Sequence, residues 1–153
     1  PAPPAPESRP RPANPRAIAL LKIPRIGVDV IVVEGVRLPD LVYGPGRYPQ
    51  SAKIGADGST AIAGHRTGWG SPFLNVDRLR VGDAITVQVP SGTVYRYRVS
   101  GTRVVGPGAS WVLRGKPGST ATRQLTLTTC TPKFTSRNRL IIWADLVATE
   151  DRD

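Results

Sequence analysis

The chain has 153 residues, 39% of them hydrophobic, which suits one globular domain with a core of its own. No apolar run reaches the roughly 18 residues of a membrane span, and the single cysteine excludes an internal disulfide. The net charge of +10 would suit an anionic partner, but the basic residues are spread along the chain, so we interpret them mainly as solvated surface. No basic run is interleaved with aromatic residues, and we therefore expect no nucleic-acid partner.

The first segment, residues 1–16, reads "PAPPAPESRPRPANPR" and contains no apolar stretch. It cannot bury a core, and we predict an extended linker. It also lacks the apolar region of a secretory signal. Because the sequence does not begin with methionine, we expect it to be part of a longer protein. Residues 17–149 are predicted to form the folded domain, and residues 150–153 a short tail.

After Ala17, short apolar runs alternate with turn residues, and this pattern predicts seven or eight short strands. A short helical turn is predicted in "LPDLVYGPGRYP". A second short helix is predicted in "SPFLNVDRL", with Ser71 as its N-cap before Pro72. Residues 106–123 are predicted to form a long loop, and the overall pattern predicts a mainly β barrel or sandwich. The predicted strands, in chain order, are "AIALLKI", "VDVIVVEGV", "STAIAGH", "DAITVQV", "TVYRYRVSG", "TRVV", "RQLTLTTC" and "RLIIWADLVA".

Alternation of side chains along three of these strands separates a core face from an outer face. In "QLTLTTC" both leucines share one face, and Cys130 lies on the other. The same alternation places His65 and Arg139 on the outer faces of their strands, each near a strand end. It places Ile141 and Trp143 on the outer face with Arg139. We therefore expect the cysteine, the histidine and the arginine to project away from the core.

The chemistry of these three side chains suits acyl transfer. A thiolate attacks carbonyl groups, an imidazole can protonate a leaving amine, and a guanidinium can donate to an oxyanion. The structural alternatives are common: a lone cysteine is often a small packed hydrophobe, and a lone histidine or a strand-start arginine is usually a surface residue. Composition alone favours these alternatives. One histidine and one cysteine cannot supply the ligands of a structural zinc site, so no metal is expected.

Three longer motifs resemble the sortases, the cysteine transpeptidases of Gram-positive cell surfaces. They are "LLKIPRIGVDVIVVEGV", "AIAGHRTGWGSPFLNVDRLRVGDAITV" and "QLTLTTCTPKFTSRNRLIIWADL". Within them "AGH", "TLTTC" and "RLI" occur in the family's order, with a "GD" turn between the first two. The resemblance covers about Ala17 to Ala148, and "TTCTPKFTSRNRLI" is most similar to the class E sortases of actinobacteria.

The resemblance implies a closed sortase-type β-barrel of seven to eight strands with one or two short helices. It implies that Cys130 is the nucleophile, His65 the general acid and base, and Arg139 the catalytic arginine. The segment "SWVLRG" in the predicted 106–123 loop corresponds to the family's loop that lines the groove for the sorting signal. An apolar loop packed on the barrel would account for its apolar residues nearly as well. The implied substrate contacts are Ala63, Trp111, Val112, Leu113 and Thr129.

The implied reaction cleaves an LPxTG-like signal, or the LAxTG signal associated with class E, between threonine and glycine. A thioacyl intermediate on Cys130 then passes to an amine of a cell-wall precursor. We expect a monomer at the extracellular face of the membrane, with the native N-terminal anchor outside this sequence. Some class A sortases bind calcium partly through an acidic residue of the same loop. Residues 106–123 contain no Asp or Glu, so we expect no calcium dependence and no cofactor.

Two other functions remain open from the sequence. The same three residues could serve a cysteine hydrolase that uses water as the acceptor. A basic, non-catalytic β-barrel that binds anionic wall polymer would also fit the charge, but it would not need Cys130.

Overall fold

The computed structural model describes residues 16–67 and 70–151, so nearly all of the predicted N-terminal linker lies outside the described residues. The strands are β1 (Ala17–Ile23), β2 (Val28–Glu34), β3 (Gly46–Arg47), β4 (Gly58–Ala63), β5 (Ala84–Gln88), β6 (Val94–Val105), β7 (Arg123–Thr131) and β8 (Asn138–Glu150). They form a closed barrel in the order β1-β2-β3-β4-β7-β8-β6-β5, and pairing of β1 with β5 completes the circle. The expected closed barrel with few helices is confirmed.

Two details of the strand prediction are wrong. The short strand β3 was not predicted, because it lies in the segment "LPDLVYGPGRYP", where only a helical turn was expected. The segments "TVYRYRVSG" and "TRVV", predicted as separate strands, form the single strand β6.

The helical segments are short and lie between strands. The one α-helix of the described chain, α1 (Leu38–Leu41), falls in the segment where a helical turn was predicted. Short 3₁₀ helices occupy Pro24–Ile26, Val76–Arg78 and Ser110–Arg114. In the part of the chain that the structure describes, no helix combines the length and apolar character needed to cross a bilayer.

The prediction that Ser71 caps a helix is wrong. Ser71 has a φ of 46°, in the left-handed region, whereas an N-cap residue takes an extended backbone. The helix starts later, at Val76, after Asn75, whose side chain makes no capping hydrogen bond.

The barrel interior holds the main core, and strand alternation predicted its members on β4, β7 and β8. Ile62, Leu125, Leu127 and Ile142 are almost completely buried there. The other face of β7 and β8 is also covered, which alternation could not predict. Further members of the main core include Leu21, Ile23, Val32, Phe73, Ile85, Val87, Tyr97, Leu140 and Ala144.

A second, smaller cluster lies outside the barrel. Trp143 and Ile141 are each 1% exposed and pack against Val112 of the 3₁₀ helix Ser110–Arg114. The Trp143 indole Nε1 donates to the carbonyl of Val112 at 3.1 Å. The 3₁₀ helix thus covers the outer face of β8, so these two residues point away from the core as predicted but are not exposed to solvent.

We expect Trp143→Ala to lower the free energy of unfolding by about 3–5 kcal/mol, because it empties the centre of the outer cluster. Val104→Ala is the matched control, since Val104 is 55% exposed on neighbouring β6. The control should stay within about 0.5 kcal/mol of the parent. Chemical denaturation of both variants measures this, and equal small effects would mean that the 3₁₀ helix does not pack on β8.

The buried side chain of Tyr97 should make the folded barrel less stable at alkaline pH. Burial raises the pKa of Tyr97 to about 12, although a backbone hydrogen bond with Gly55 partly opposes the shift. Above about pH 10 the unfolded chain ionises this tyrosine while the folded chain does not. The stabilisation present below that pH should therefore be lost as the pH rises towards 12, by at most about 2.7 kcal/mol. Urea titrations between pH 9 and pH 12 should show this fall, and Tyr97→Phe should make it shallower.

Candidate active site

Strand β7 lies between β4 and β8, and it brings the predicted catalytic residues together. It pairs in parallel with β4 and antiparallel with β8. In the β7–β8 register Cys130 and Arg139 are direct partners. Directly opposed residues of two strands project from the same face of the sheet, with their Cβ atoms about 5 Å apart. The side chains of Cys130 and Arg139 therefore leave the sheet from neighbouring positions on the same face.

His65 reaches this place from the other edge of β7. The backbone N–H of Gly64 donates to the carbonyl of Thr128 at 3.1 Å. The Thr129 hydroxyl donates to the carbonyl of Gly64 at 2.7 Å. These two bonds extend the parallel pairing beyond β4, up to the residues that precede His65 and Cys130. His65 is half-buried next to the end of β7, so all three predicted catalytic residues lie at one end of adjacent strands.

The Arg139 guanidinium is held by its own loop. Its Nη1 donates to the carbonyls of Ser136, at 2.9 Å, and Asn138, at 3.1 Å. The side chain is half-buried and lines a groove of about 290 Å³. Arg137, in contrast, lies exposed in the loop between β7 and β8. The arginine predicted to act in catalysis is thus the one that the sheet and the groove position.

The groove runs from Arg139 between β8 and the segment before the 3₁₀ helix Ser110–Arg114. On one wall the Tyr48 hydroxyl and the Thr128 hydroxyl share a hydrogen bond of 2.9 Å. The lining is largely apolar, with a few polar groups that can orient a bound chain, as is usual for ligand sites. Its residues are Tyr48, Gln50, Val105, Gly106, Pro107, Gly108, Ala109, Ser110, Val112, Leu113, Thr128, Arg139 and Ile141.

The predicted substrate contacts divide between the groove and its surroundings. Val112 and Leu113 line the groove. Trp111 is not part of the lining: its ring centroid lies 6.3 Å from that of Trp143, and the Arg103 guanidinium lies 5.8 Å above it.

The two remaining predicted contacts are buried near strand ends. Ala63 is 9% exposed and pairs with Gly46 of β3. Thr129 alternates with Cys130, so its side chain takes the opposite face, and there it binds Gly64. Its observed partner is the backbone of the segment that carries His65.

One buried residue of the site was missed from the sequence. Arg66 is 4% exposed and donates through Nη1 to the carbonyl of Cys130 at 3.1 Å. It also binds the Leu74 carbonyl and the Asp77 carboxylate. In the sequence, an arginine beside a glycine-rich turn normally predicts a surface residue. Only its position directly after His65 could have indicated that Arg66 belongs to the site.

Within 16–67 and 70–151, no three His, Cys, Asp or Glu side chains are grouped closely enough to hold a metal ion. The chemistry that this end of the barrel offers is a thiol, an imidazole and a guanidinium, and the guanidinium of Arg139 also lines the groove, whose walls are partly apolar and partly polar.

Comparison with known proteins identifies the family to which this chain is similar. A protein-family model for the sortase domain matches residues 21–147. Sortase SrtE1 and sortase SrtE2, both from Streptomyces coelicolor, are 30% and 34% identical over 148 and 151 residues. The alignments cover 90% and 89% of this chain, but 42% and 58% of the two relatives. The chain thus spans about half the length of these curated relatives.

Solved structures are similar over nearly the whole chain. Sortase E1 from Streptomyces coelicolor, crystallised with a tripeptide in its active site, has a TM-score of 0.84 and 31% identity. That match covers 92% of this chain and 94% of the other. Sortase E from Streptomyces avermitilis has a TM-score of 0.80 and 34% identity, with 89% and 91% of the two chains covered.

We expect Thr129→Val to lower the free energy of unfolding by about 1–3 kcal/mol, because it removes a buried hydrogen-bond partner of Gly64. Thr131→Val is the control on the same strand: Thr131 is half-buried, and its hydroxyl makes no hydrogen bond to another described residue. Denaturant titrations compare the two. A cost for Thr131→Val as large as that for Thr129→Val would contradict the role of this bond.

Proposed function

The chain belongs to the sortase family, and from that membership we propose that it is a cysteine transpeptidase. The proposed reaction cleaves a sorting signal between threonine and glycine, and it joins the upstream protein to an amine of the cell wall. The observation that carries the proposal is the direct cross-strand pairing of Cys130 with Arg139, with His65 at the adjacent strand end. These are the three groups that acyl transfer from a peptide to an amine requires.

In the first half-reaction the Cys130 thiolate attacks the threonine carbonyl of the signal. Negative charge develops on that carbonyl oxygen, and the neighbouring Arg139 guanidinium donates to it. When the tetrahedral intermediate collapses, the carbon–nitrogen bond breaks and His65 gives its proton to the departing glycine amine. A thioester between the threonine and Cys130 remains.

In the second half-reaction an amine takes the place of the departed glycine. His65, now neutral, removes a proton from the amine as it attacks the thioester carbonyl. Arg139 again stabilises the oxyanion, and collapse expels the Cys130 thiolate. The product is an amide, and the enzyme returns to its starting state.

The groove beside Arg139 supports a peptide substrate that binds upstream of its threonine. Val112 and Leu113 give it apolar walls, suited to the leucine and the small or proline residue that begin LAxTG and LPxTG signals. Among these we favour LAxTG, because the chain is similar to sortases E1 and E2 of Streptomyces coelicolor. The proposed place of action is the cell surface, where the wall precursor supplies the acceptor amine.

The deciding experiment incubates the protein with LAxTG and LPxTG peptides, with and without candidate amines, and identifies products by mass. We expect a ligated product with an amine present, and a thioester-linked species on the parent chain. Cys130→Ala should abolish both while leaving the melting curve unchanged, because Cys130 is half-buried at a strand end and its loss opens no core cavity.

Two results would redirect the proposal. Cleavage that gives only hydrolysed peptide at every amine concentration would make the chain a hydrolase. Ligation by Cys130→Ala would show that the nucleophile lies elsewhere.

Arg139 and Arg137 can be separated by the same assay. Arg139→Lys should lower turnover by about a hundredfold or more, since lysine lacks the planar fork that reaches both the loop carbonyls and an oxyanion. Arg137→Lys should change turnover little, because Arg137 is exposed in a loop and has no register partner on β7. The reverse ranking would transfer the oxyanion role to Arg137.

A further inference from the structure

Arg66 connects the two halves of the candidate active site. It follows His65 directly, and its side chain is almost completely buried, yet it carries a permanent charge. We propose that Arg66 is a positioning residue, which holds the His65 segment against the strand end that carries Cys130. The inference rests on the proposed transpeptidase function and adds a residue to it.

Each nitrogen of the guanidinium has its own partner. Nε donates to the carbonyl of Leu74 at 2.9 Å, and Nη1 donates to the carbonyl of Cys130 at 3.1 Å. Nη2 lies 3.1 Å from the carboxylate of Asp77. One side chain therefore joins the end of β7, the loop after His65 and the 3₁₀ helix Val76–Arg78.

These bonds fix His65 from both sides. On its N-terminal side, Gly64 is bonded to Thr128 and Thr129 of β7. On its C-terminal side, the bond from Arg66 to Cys130 is the next connection to the same strand. The His65 carbonyl also accepts from the N–H of Phe73, within the loop that Arg66 ties down. Loss of the Arg66 fork would leave the backbone around His65 bonded to β7 on its N-terminal side only.

A contribution to stability does not by itself explain why the buried residue at position 66 is a charged arginine. A buried ion pair is often no better for stability than well-packed apolar residues of similar volume. Asp77 is 45% exposed, so its attraction for Arg66 is also weakened by solvent. What the guanidinium offers, and a hydrocarbon or a lysine does not, is a rigid fork that sets three partners in one geometry.

A second buried arginine supplies a matched control. Arg47 is 9% exposed and binds both carboxylate oxygens of Glu34, at 2.9 Å each. It also donates to the carbonyls of Ser51 and Ala52. Its hydrogen-bond set resembles that of Arg66, but none of its partners belongs to the His65 segment or to β7.

The test compares Arg66→Lys, Asp77→Asn and Arg47→Lys with the parent chain. For each, kcat and KM for amine ligation of an LAxTG peptide are measured and normalised to the folded fraction from a melting curve. Iodoacetamide labelling adds a second readout, because the chain has one cysteine and the labelling rate reports on Cys130 alone.

For Arg66→Lys we expect kcat to fall by about ten- to a hundredfold, the scale of a misplaced catalytic group, while KM changes less than about twofold. Asp77→Asn should also lower kcat, but by a smaller factor. This variant tests the proposal even if Arg66→Lys folds poorly. Arg47→Lys should lower the melting temperature and leave kcat per folded molecule unchanged. The Cys130 labelling rate should change in Arg66→Lys and not in Arg47→Lys.

The positioning role would be overturned if Arg66→Lys and Asp77→Asn both kept the kcat and the labelling rate of the parent chain and lost only melting temperature. An equal loss of kcat in Arg47→Lys would overturn it too, because any buried arginine would then have the same effect. A parent chain that forms no ligated product would instead reject the proposed function, so the two failures are distinguishable.

Discussion

The candidate site depends on the double pairing of β7. Its antiparallel register with β8 sets Cys130 opposite Arg139, and its parallel register with β4 leads the following segment, with His65, to the same strand end. A shift of one residue in either register would turn the affected side chain to the other face of the sheet. The buried leucines of β7 oppose any such shift, since they would have to leave the core. The hydrophobic interior thus indirectly determines the geometry of the polar site.

Two layers of packing shape the substrate groove. Inside the barrel the main core holds the strands, and outside it Val112 anchors the 3₁₀ helix Ser110–Arg114 to Trp143. The Val112 carbonyl accepts from the Trp143 indole and from the Thr126 hydroxyl, so the covering segment has polar as well as apolar attachments. One wall of the groove is therefore the edge of a segment that also stabilises the fold, and substrate binding and stability share residues there.

Much of the site could be predicted from the sequence, because strand alternation and family motifs are local. The outward direction of Cys130, His65 and Arg139 followed from the position of each relative to the buried residues of its strand. The place of Arg66 could not be predicted, because nothing near it in the chain identifies its partner: the Cys130 carbonyl comes from a strand far along the sequence. The error at Ser71 has a similar cause, since local capping preference yielded to a turn with a left-handed backbone.

The sequence by itself therefore predicted every strand but β3, with β6 divided in two, and it predicted which residues of β4, β7 and β8 face the core. The residues proposed for catalysis came from the motifs shared with the sortase family. Strands and their core faces depend on side-chain periodicity, and family motifs are short, so both are present in local stretches of chain. Only the tertiary structure decided that Trp143 and Ile141 are buried on the outer face, and that Arg66 binds the carbonyl of Cys130. Both outcomes depend on which distant segment packs over a given face, and that is set by closure of the barrel and by the path of its loops.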